Sequence, residues 1–423
     1  MEEYKESGID WIGKIPKNWD IQPLGVCFDE RREKVSDTLF EPLSVTKKGI
    51  LKQLDNVAKS DAHDDRKKVC KDDFVINSRS DRKQSCGLSD YDGSVSLINT
   101  VLISNKKMLE PIFVKYLLDN CMFAEEFYRN GHGIVADLWT TNYTEMKRIY
   151  IPIPNIKEQQ QIADFLDDKI GKIDKILKDL NKQIEILNNY KKSIITEAVT
   201  KGLDINVEYK NSGIDWIGNI PKKWQIKRLK YLGTSRNGLT YSPENIVDED
   251  NGILVLRSSN IQSGKLDYHD NVYVNCKVPV NLLLKKNDLL ICSRNGSRNL
   301  IGKNALIDNS SIGNTFGAFM CVFRGEYNKY IYYIMNSYLF DNYLNSFLTS
   351  TINQLTNSNL GNIKVPFTYD IIEQQKIISY LDDKCSNIDK TIQIKKNQID
   401  KLENYKKSLI YEYVTGKKRV KEE

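Results

Sequence analysis

Apolar side chains recur every seven residues along two stretches of the chain, at 158–200 and 373–415. Within each stretch the steps alternate between three and four residues, and proline is absent. A seam of this period predicts a coiled-coil helix, here roughly 60 Å long at about 1.5 Å per residue. The seam positions are Ile170, Ile173, Leu177, Leu180, Ile184, Leu187, Ile194 and Ala198 in the first stretch, and Cys385, Ile388, Ile392, Ile399, Leu402, Leu409 and Tyr413 in the second.

Lysine interrupts this seam at Lys191 and Lys406, and again at Lys395. We expect the two helices to bury their seams against each other despite these breaks, because an apolar stripe needs a partner surface. The alternative is that each helix docks separately on a globular domain.

The two helical stretches are copies of one sequence, since EQQ, LDDK, NYKKS and VT recur in the same order without a gap. A second repeat precedes each globular region: YKESGIDWIGKIPKNWDIQPL at 4–24 returns as YKNSGIDWIGNIPKKWQIKRL at 209–229. This motif holds four of the five tryptophans, which we expect to pack it onto a neighbouring element. The chain is therefore built as two halves, each with a motif, a globular region and a long helix.

Both globular regions combine strands with helices, which predicts an α+β fold. Apolar runs between polar turns predict strands at 43–46, 73–76, 95–103, 252–256 and 288–292. Helical spacing of apolar residues predicts helices at 111–128 and 330–348, and extended segments at 149–154 and 364–367 lead into the long helices. The predicted division is a motif with a first domain (1–157), a first spacer helix (158–202), a repeated motif with a second domain (203–372), a second spacer helix (373–416) and a basic tail (417–423).

Composition limits the class of protein without fixing its function. The 423 residues carry a net charge of +6, which permits nucleic-acid binding but does not establish it. Eight single cysteines without a Cys-x-x-Cys pair argue for reduced thiols and a cytoplasmic protein. No apolar run approaches the ~20 residues of a membrane span, and the N-terminus lacks a signal-peptide pattern. The basic tail is expected to be a solvated end.

Catalytic motifs are missing from the sequence. The segment 296–304 is the nearest match to a phosphate-binding loop, but it has one residue too many and Asn304 in place of the metal-binding hydroxyl. No Pro-Pro occurs, so the Asp/Asn-Pro-Pro-aromatic loop of base-methylating enzymes is absent. His63 lies in a polar segment at 61–65 that we interpret as a loop rather than a metal site. We therefore predict no catalytic, metal-binding or cofactor-binding residue in this chain.

Polar loops after equivalent strands are better candidates, for contacts with DNA. Arg79 and Arg294 come just after the strands predicted at 73–76 and 288–292, and each opens a polar loop. Arginine binds guanine through O6 and N7, asparagine and glutamine bind adenine, and neighbouring cations bind phosphates. The candidates are Arg79, Arg82, Lys83, Arg294, Asn295 and Arg298, and a second equivalent pair of loops adds Lys47, Lys48, Arg257 and Asn260. The alternative is that these are ordinary solvated loops.

These repeats resemble the specificity subunit of type I restriction-modification systems. The SGIDWIG-x-IP-x-x-W motif, the IPIP lead-in before EQ-x-x-I-x-x-x-LD, and the paired long helices carry the resemblance over essentially the whole chain. It implies two target-recognition domains separated by helices that pack as an antiparallel coiled coil, in a pseudo-twofold arrangement. Each domain would bind one half of a split double-stranded DNA target, and the helices would set the gap between the halves.

The resemblance also implies partners. Two methyltransferase (modification) subunits would dock on the helices, and restriction subunits with translocase and nuclease activity would complete the complex. S-adenosylmethionine, ATP and magnesium would belong to those partners, and this chain would be non-catalytic.

Two other classes of protein stay open. One is a nuclease or methyltransferase that acts alone, which the missing motifs disfavour. The other is a coiled-coil scaffold without DNA contact, which the differing loops on similar frameworks disfavour.

Overall fold

The computed structural model describes residues 3–53, 64–133, 139–347 and 353–420, so His63 lies outside the described residues. The chain forms two compact units, Met1–Asn181 with Lys396–Glu423, and Lys182–Lys395. Each unit contains one motif, one globular domain, the beginning of one long helix and the end of the other. Within the described ranges, no helix has the length and apolarity needed to cross a lipid bilayer.

The two long helices extend over Ile156–Lys201 and Ile371–Val414. In the second unit, Lys191 Nζ donates to Asp389 Oδ1 at 2.6 Å and Lys395 Nζ donates to Gln183 Oε1 at 2.5 Å. In these two contacts the residue number rises along the first helix and falls along the second, so the two helices run antiparallel here.

The first unit repeats this arrangement with the other ends of the helices. The rings of Phe165 and Tyr413 lie 4.5 Å apart between centroids, and Lys406 Nζ donates to Asp174 Oδ1 at 2.5 Å. The ion pair of Lys406 is thus the repeat of the one that Lys191 makes with Asp389.

The residues of the apolar seam are buried or half-buried in both units, and the prediction of a paired coiled coil is confirmed. The lysines at its breaks reach carboxylate or amide oxygens of the facing helix, so they interrupt the seam without leaving a buried charge unpaired. Seam residues with at most 9% exposure are Ile170, Ile173, Leu180, Ala198, Cys385, Ile388, Ile392 and Leu409.

A four-stranded antiparallel sheet forms the centre of each globular domain, with the same strand order. The first unit orders its strands Cys86–Leu88, Phe74–Asn77, Asn99–Ser104 and Phe28–Glu30. The second unit orders the equivalent strands Asn304–Leu306, Leu289–Cys292, Met320–Arg324 and Thr234–Asn237. The predicted similarity of the two domains is therefore a similarity of sheet topology.

The central strands are buried on both faces, which explains their continuous apolar runs. In the second unit Leu289 and Ile291 face a cluster that includes the helices, while Leu290 and Cys292 face a separate cluster of the second sheet. That second sheet differs between the units. It has three strands in the first unit, and in the second unit it has four, with a parallel pair that joins Val255 to Thr315.

The helices predicted at 111–128 and 330–348 are each two helices. Pro111–Leu118 and Cys121–Arg129 are separated because the Asn120 side chain donates to the Leu117 carbonyl and accepts from the Phe123 amide, which ends one helix and caps the next. The second unit has the corresponding break between Asn328–Met335 and Tyr338–Phe347. Leu348, the last residue of the predicted segment, lies outside the described residues.

The repeated LDDK segment joins each long helix to its globular domain. Tyr116 donates to Asp167 at 2.5 Å in the first unit, and Tyr333 donates to the equivalent Asp382 in the second. The aspartate is the first of the LDDK pair in both cases. This hydrogen bond between tyrosine and aspartate gives a structural reason why the LDDK sequence occurs in both long helices.

The tryptophan motifs pack against their neighbours as expected. Trp11, Trp19 and Trp224 are buried, whereas Trp216 is half exposed and meets the edge of the Tyr343 ring with centroids 5.4 Å apart. Each motif also packs on the end of a long helix. In the first unit it shares a core cluster with Val414 of the second helix.

The expectation of a solvated basic tail is wrong for Lys417, Arg419 and Val420, whereas Lys418 is exposed. Lys417 Nζ donates to the Ile12 carbonyl at 2.8 Å, and Arg419 Nε donates to Glu158 Oε1 at 3.0 Å. Val420 packs on the core of the first unit. Lys417 and Arg419 are therefore structural, because the motif and the first long helix offer them acceptors.

The remaining elements connect these parts. In the first unit the other strands are Tyr4–Glu6, Lys14–Pro16, Asp20–Pro23, Lys34–Val35, Leu43–Thr46, Gly49–Lys52, Arg66–Val69, Gly93–Ser96 and Tyr150–Ile153, and the short helices are Leu24–Cys27 and Tyr143–Met146. In the second unit the other strands are Tyr209–Asn211, Asn219–Pro221, Gln225–Arg228, Ile246–Val247, Ile253–Leu256, Ile261–Gln262, Lys265–Leu266, Tyr273–Val274, Thr315–Phe316 and Lys364–Phe367, and the short helix is Asn357–Asn362.

Candidate nucleic-acid interface

Arg79 and Arg294 occupy the same place in the two domains. Each lies two residues beyond the end of a central strand, and each forms an isolated antiparallel bridge, with Thr140 in the first unit and Gln354 in the second. The preceding serine carbonyl accepts a backbone hydrogen bond from the same segment in both units, at 3.0 Å and 2.8 Å. The backbone that presents each arginine is therefore fixed on both sides.

The first loop surrounds Arg79 with charged groups of both signs. Arg79 Nε lies 3.4 Å from Asp81 Oδ1, and Arg82 Nε lies 3.8 Å from the other oxygen of the same carboxylate. Lys83 pairs with Glu125, and its ammonium lies 5.8 Å from the centroid of the Tyr128 ring. These contacts hold three cations on one short loop, where they remain at least partly exposed.

The second loop holds Arg294 by an aromatic ring. The Arg294 guanidinium lies 5.3 Å from the centroid of the Phe319 ring. Asn295 Nδ2 donates to Ser258 Oγ at 3.2 Å, and this bond joins the loop at 294–298 to the loop at 257–260. Arg298 is exposed and has no acidic partner in the described part of the chain. The structure thus brings the two candidate loops of the second unit together.

Lys47 and Lys48 form the two-residue turn of a hairpin, with Thr46 paired to Gly49 across it. Both lysines are exposed. The hairpin packs closely on the strand that follows the loop of Arg82 and Lys83, since a Cβ added at Gly87 would lie 2.9 Å from Gly49 Cα. The two candidate loops of the first unit therefore also lie on neighbouring elements.

Arg257 and Asn260 belong to one loop but differ in accessibility. Arg257 is half-buried, with Nη2 lying 2.9 Å from Asp270 Oδ2. Asn260 is 0% exposed, and its amide donates to the carbonyls of Asp267 and Asp270 at 3.0 Å and 3.2 Å. The side chain of Asn260 therefore supports the shape of the loop, while Arg257 reaches the surface.

The thiol and the phenol beside these loops keep their protons at ordinary pH. Burial raises the pKa of the Cys292 thiol and the pKa of the Tyr128 hydroxyl, so both keep their protons. In the described part of the chain, no group of three or more His, Cys, Asp or Glu residues is placed to hold a metal ion. The arrangement offers cations, amides and one exposed ring, which is chemistry suited to binding.

That exposed ring, Phe319, was not among the residues predicted from the sequence. It lies in the turn between Thr315–Phe316 and Met320–Arg324, next to Arg294 in space but 25 positions away in the chain. An apolar residue between strands predicts a buried position, so the sequence offered no signal for it beyond its place in a turn.

The chain is similar to known specificity proteins over most of its length. A family model described as the type I restriction modification DNA specificity domain matches residues 66–186 and 221–404. The chain is 30% identical over 344 residues to the type I restriction enzyme MjaVIII specificity subunit of Methanocaldococcus jannaschii, covering 78% of this chain and 75% of that protein. It is 26% identical to the putative type I restriction enzyme MjaX specificity subunit of the same organism, covering 100% of this chain and 99% of that protein.

A solved structure supports the same fold. It comes from work described as the structural basis of complex assembly and conformational transition of the type I R-M system, and it matches with a TM-score of 0.69 at 15% identity, covering 95% of this chain and 98% of the other. The family model, the curated relatives and the duplicated architecture agree, and the chain belongs to the family of type I restriction-modification DNA specificity subunits.

Proposed function

We propose that this chain gives a type I restriction-modification complex its DNA specificity by binding a split target, one half with each globular domain. The observation that carries the proposal is that two sheets of the same topology present different polar loops after the same strand. A duplicated framework with unlike loops fits a target made of two unlike half-sites, because base contacts come from side chains and not from the sheet.

The candidate contacts divide into base readers and phosphate binders. Arg79 and Arg294 are the proposed base readers, since their backbones are fixed and a bidentate arginine distinguishes guanine. In this proposal the other exposed or half-exposed candidate cations, with Asn295, bind phosphates or neighbouring bases. They are Lys47, Lys48, Arg82, Lys83, Arg257 and Arg298, while Asn260 acts through the loop that it supports.

The long helices set the gap between the half-sites and dock two methyltransferase subunits in this proposal. Tyr190 and Tyr405 support the docking, because they occupy the same position of the helix repeat and expose 57% and 54% of their surface. Two equivalent apolar positions fit two copies of one partner. The chain itself is non-catalytic, and S-adenosylmethionine, ATP and magnesium are bound by the modification and restriction subunits.

A genome-wide map of methyladenine tests the function directly. Cells should express this chain with the modification subunit encoded beside it, and the expected result is a new motif of two short half-sites around a fixed gap. A short continuous motif would mean that only one of the two domains binds DNA. A complex that assembles but adds no methylation contradicts the proposal and favours the scaffold.

The gap between the half-sites is expected to follow helix length. Removing one heptad at the same level of both helices, residues 177–183 and 396–402, keeps the seam in phase and shortens each helix by roughly 10 Å. The gap should shrink by about three base pairs, at about 34 Å per ten base pairs, while the half-sites stay the same. Changed half-sites with an unchanged gap would refute this role for the helices.

A further inference from the structure

Phe319 is exposed in a chain whose other phenylalanines are not. It has 60% of its surface exposed, and the remaining 12 of the 13 phenylalanines are buried or half-buried. Single exposed apolar side chains are common on protein surfaces, so exposure alone assigns no role. The position of the ring among the candidate DNA-binding loops is what distinguishes it.

The turn that carries Phe319 is tied to both candidate loops of the second unit. The Phe319 carbonyl accepts from the Ser293 and Arg294 amides, both at 3.0 Å, and from Ser293 Oγ at 2.9 Å. Gly317, two residues earlier, donates its amide to the Leu256 carbonyl at 3.0 Å, just before Arg257. The backbone under the ring is therefore held by the ends of the two strands from which the loops begin.

The turn is also stabilised by backbone hydrogen bonds of residues 316–320. Met320 donates its amide to the Gly317 carbonyl at 2.8 Å, and Leu239 donates to the Phe316 carbonyl at 2.7 Å. Gly238 lies so close that a Cβ there would be 2.2 Å from that same carbonyl oxygen. Phe319 is thus an exposed ring on a rigid support, which is how a specific contact is positioned in advance.

The ring and Arg294 present two different chemistries side by side. The guanidinium, 5.3 Å from the ring centroid, keeps its donors for the O6 and N7 acceptors of a guanine. In the major groove the apolar feature of a base pair is the 5-methyl group of thymine, and phenylalanine is one of the side chains that contact it. A guanine next to a thymine would satisfy both groups at once.

We propose that Phe319 is a specificity-determining residue of the second domain, whose ring contacts the methyl group of a thymine adjacent to the guanine bound by Arg294. This inference rests on the proposed function, since it names a base contact within the second half-site. It extends the set of candidate residues to one that is apolar.

The first domain lacks this element. Ser78 donates its amide to the Ile98 carbonyl at 3.3 Å, so Ile98 holds the place of Phe319 there, and Ile98 is half-buried. The neighbouring Leu97 is 40% exposed, and Arg79 Nε lies 3.4 Å from Asp81 Oδ1. The thymine contact therefore belongs to one half-site only.

Uracil substitution isolates the proposed contact, because it removes the 5-methyl group and changes nothing else on the base. Duplexes carrying the target found by methylation mapping are bound to the complete complex, with each thymine of either strand replaced by deoxyuridine in turn. Uracil at one position of the second half-site should weaken binding of the complex about fivefold, which is the effect of losing one methyl contact. Phe319→Ala should bind the normal target more weakly and show no further loss with uracil at that position.

Leu97→Ala is the matched control, since it truncates an exposed side chain in the equivalent turn of the first domain. It should leave the uracil sensitivity of the second half-site unchanged. Thermal unfolding of Phe319→Ala should match the unchanged chain, because the ring is largely exposed and the hydrogen bonds of the turn come from the backbone.

Two results overturn the inference while leaving the proposed function intact. One is a second half-site in which no thymine is sensitive to uracil substitution. The other is a Phe319→Ala complex that keeps the full sensitivity of the unchanged complex. A complex that recognises no split target at all overturns the proposed function instead.

Discussion

The two domains place an arginine at the same point of the same sheet but hold it by different means. Asp81 lies 3.4 Å from Arg79, whereas the Phe319 ring lies beneath Arg294. A carboxylate competes with DNA for the guanidinium donors, and a ring leaves them free. The two domains therefore share the sheet that positions the arginine, and they differ in the side chains that contact it.

A buried ion pair shows the same pattern inside the sheet. Asp73 and Asp288 precede equivalent strands, and each accepts two hydrogen bonds from an arginine. The arginine is Arg31, just after the edge strand, in the first unit and Arg324, at the end of a central strand, in the second. The equivalent aspartates of the two domains are thus each paired with an arginine, but the two arginines come from different elements of the sheet.

The largest expected effect is on this ion pair. Arg324→Ala should lower the free energy of unfolding of the second unit by about 3 kcal/mol, because Asp288, 2% exposed, would keep a buried charge. Urea unfolding followed by hydrogen exchange at Leu289–Cys292 measures it. Arg31→Ala is the matched variant and should act on the first unit alone. Adding Asp288→Asn to Arg324→Ala should recover part of the loss; no recovery would mean that the arginine matters for packing and not for charge.

The next effect separates the two half-sites. Arg79→Ala should relax one half-site and Arg294→Ala the other, each at a cost of about 1–3 kcal/mol in binding if the arginine makes a bidentate contact. Methylation maps of both variants, beside binding to the mapped target, provide the measurement. A variant with unchanged affinity and an unchanged motif would remove that arginine from the proposed interface.

A smaller effect concerns the two equivalent glutamates of the EQQ repeat. Glu373 accepts from Trp224 Nε1 at 3.0 Å and from Thr368, while Glu158 accepts from Arg419 of the tail. Arg419→Ala should therefore destabilise the first unit by about 1.5 kcal/mol, since Glu158 is buried and loses its charged partner. Urea unfolding measures this, and Lys418→Ala, which removes an exposed ion pair, is the control. An equal loss in both variants would argue against the Glu158 contact.

The smallest expected effect depends on pH. Asp119 and Asn336 cap equivalent helices, and desolvation raises the pKa of Asp119 to about 6. The folded carboxyl then binds its proton more tightly than the unfolded one, so stability falls as pH rises from about 4 to 6. Asp119 is exposed to solvent, and solvent screening holds the change below about 1 kcal/mol.

Asp119→Asn, which copies the second unit, should remove this fall. The variant should match the unchanged chain at pH 4 and exceed it in stability at pH 7, as measured by urea unfolding at both values. A variant less stable at pH 7 would show that the charged form is favoured in the folded state.

The long helices and several strands could be predicted from the sequence, whereas the helix break at Asn120 could not, for a local reason. The strands at 43–46 and 73–76 are evident from short apolar runs between polar turns, and both long helices from the seven-residue period of their apolar residues. The break at Asn120 was missed because the apolar spacing continues across it, while the side-chain hydrogen bonds that end the helix leave no trace in that spacing. The interface residues remain predictions, apart from the finding that Asn260 is buried.

The duplication, the α+β class and the two seam-bearing helices can be read from the sequence alone, because repeats and periods are visible along the chain without knowing which segments meet. The folded structure was needed to show that Asn260 supports its loop, that Arg419 reaches Glu158, and that Phe319 lies beside Arg294. The contacts of Arg419 and Phe319 join segments that are distant in sequence, and those of Asn260 depend on the path that its own loop takes. Such contacts arise when strands and helices pack, and no local pattern of residues encodes which side chains then meet.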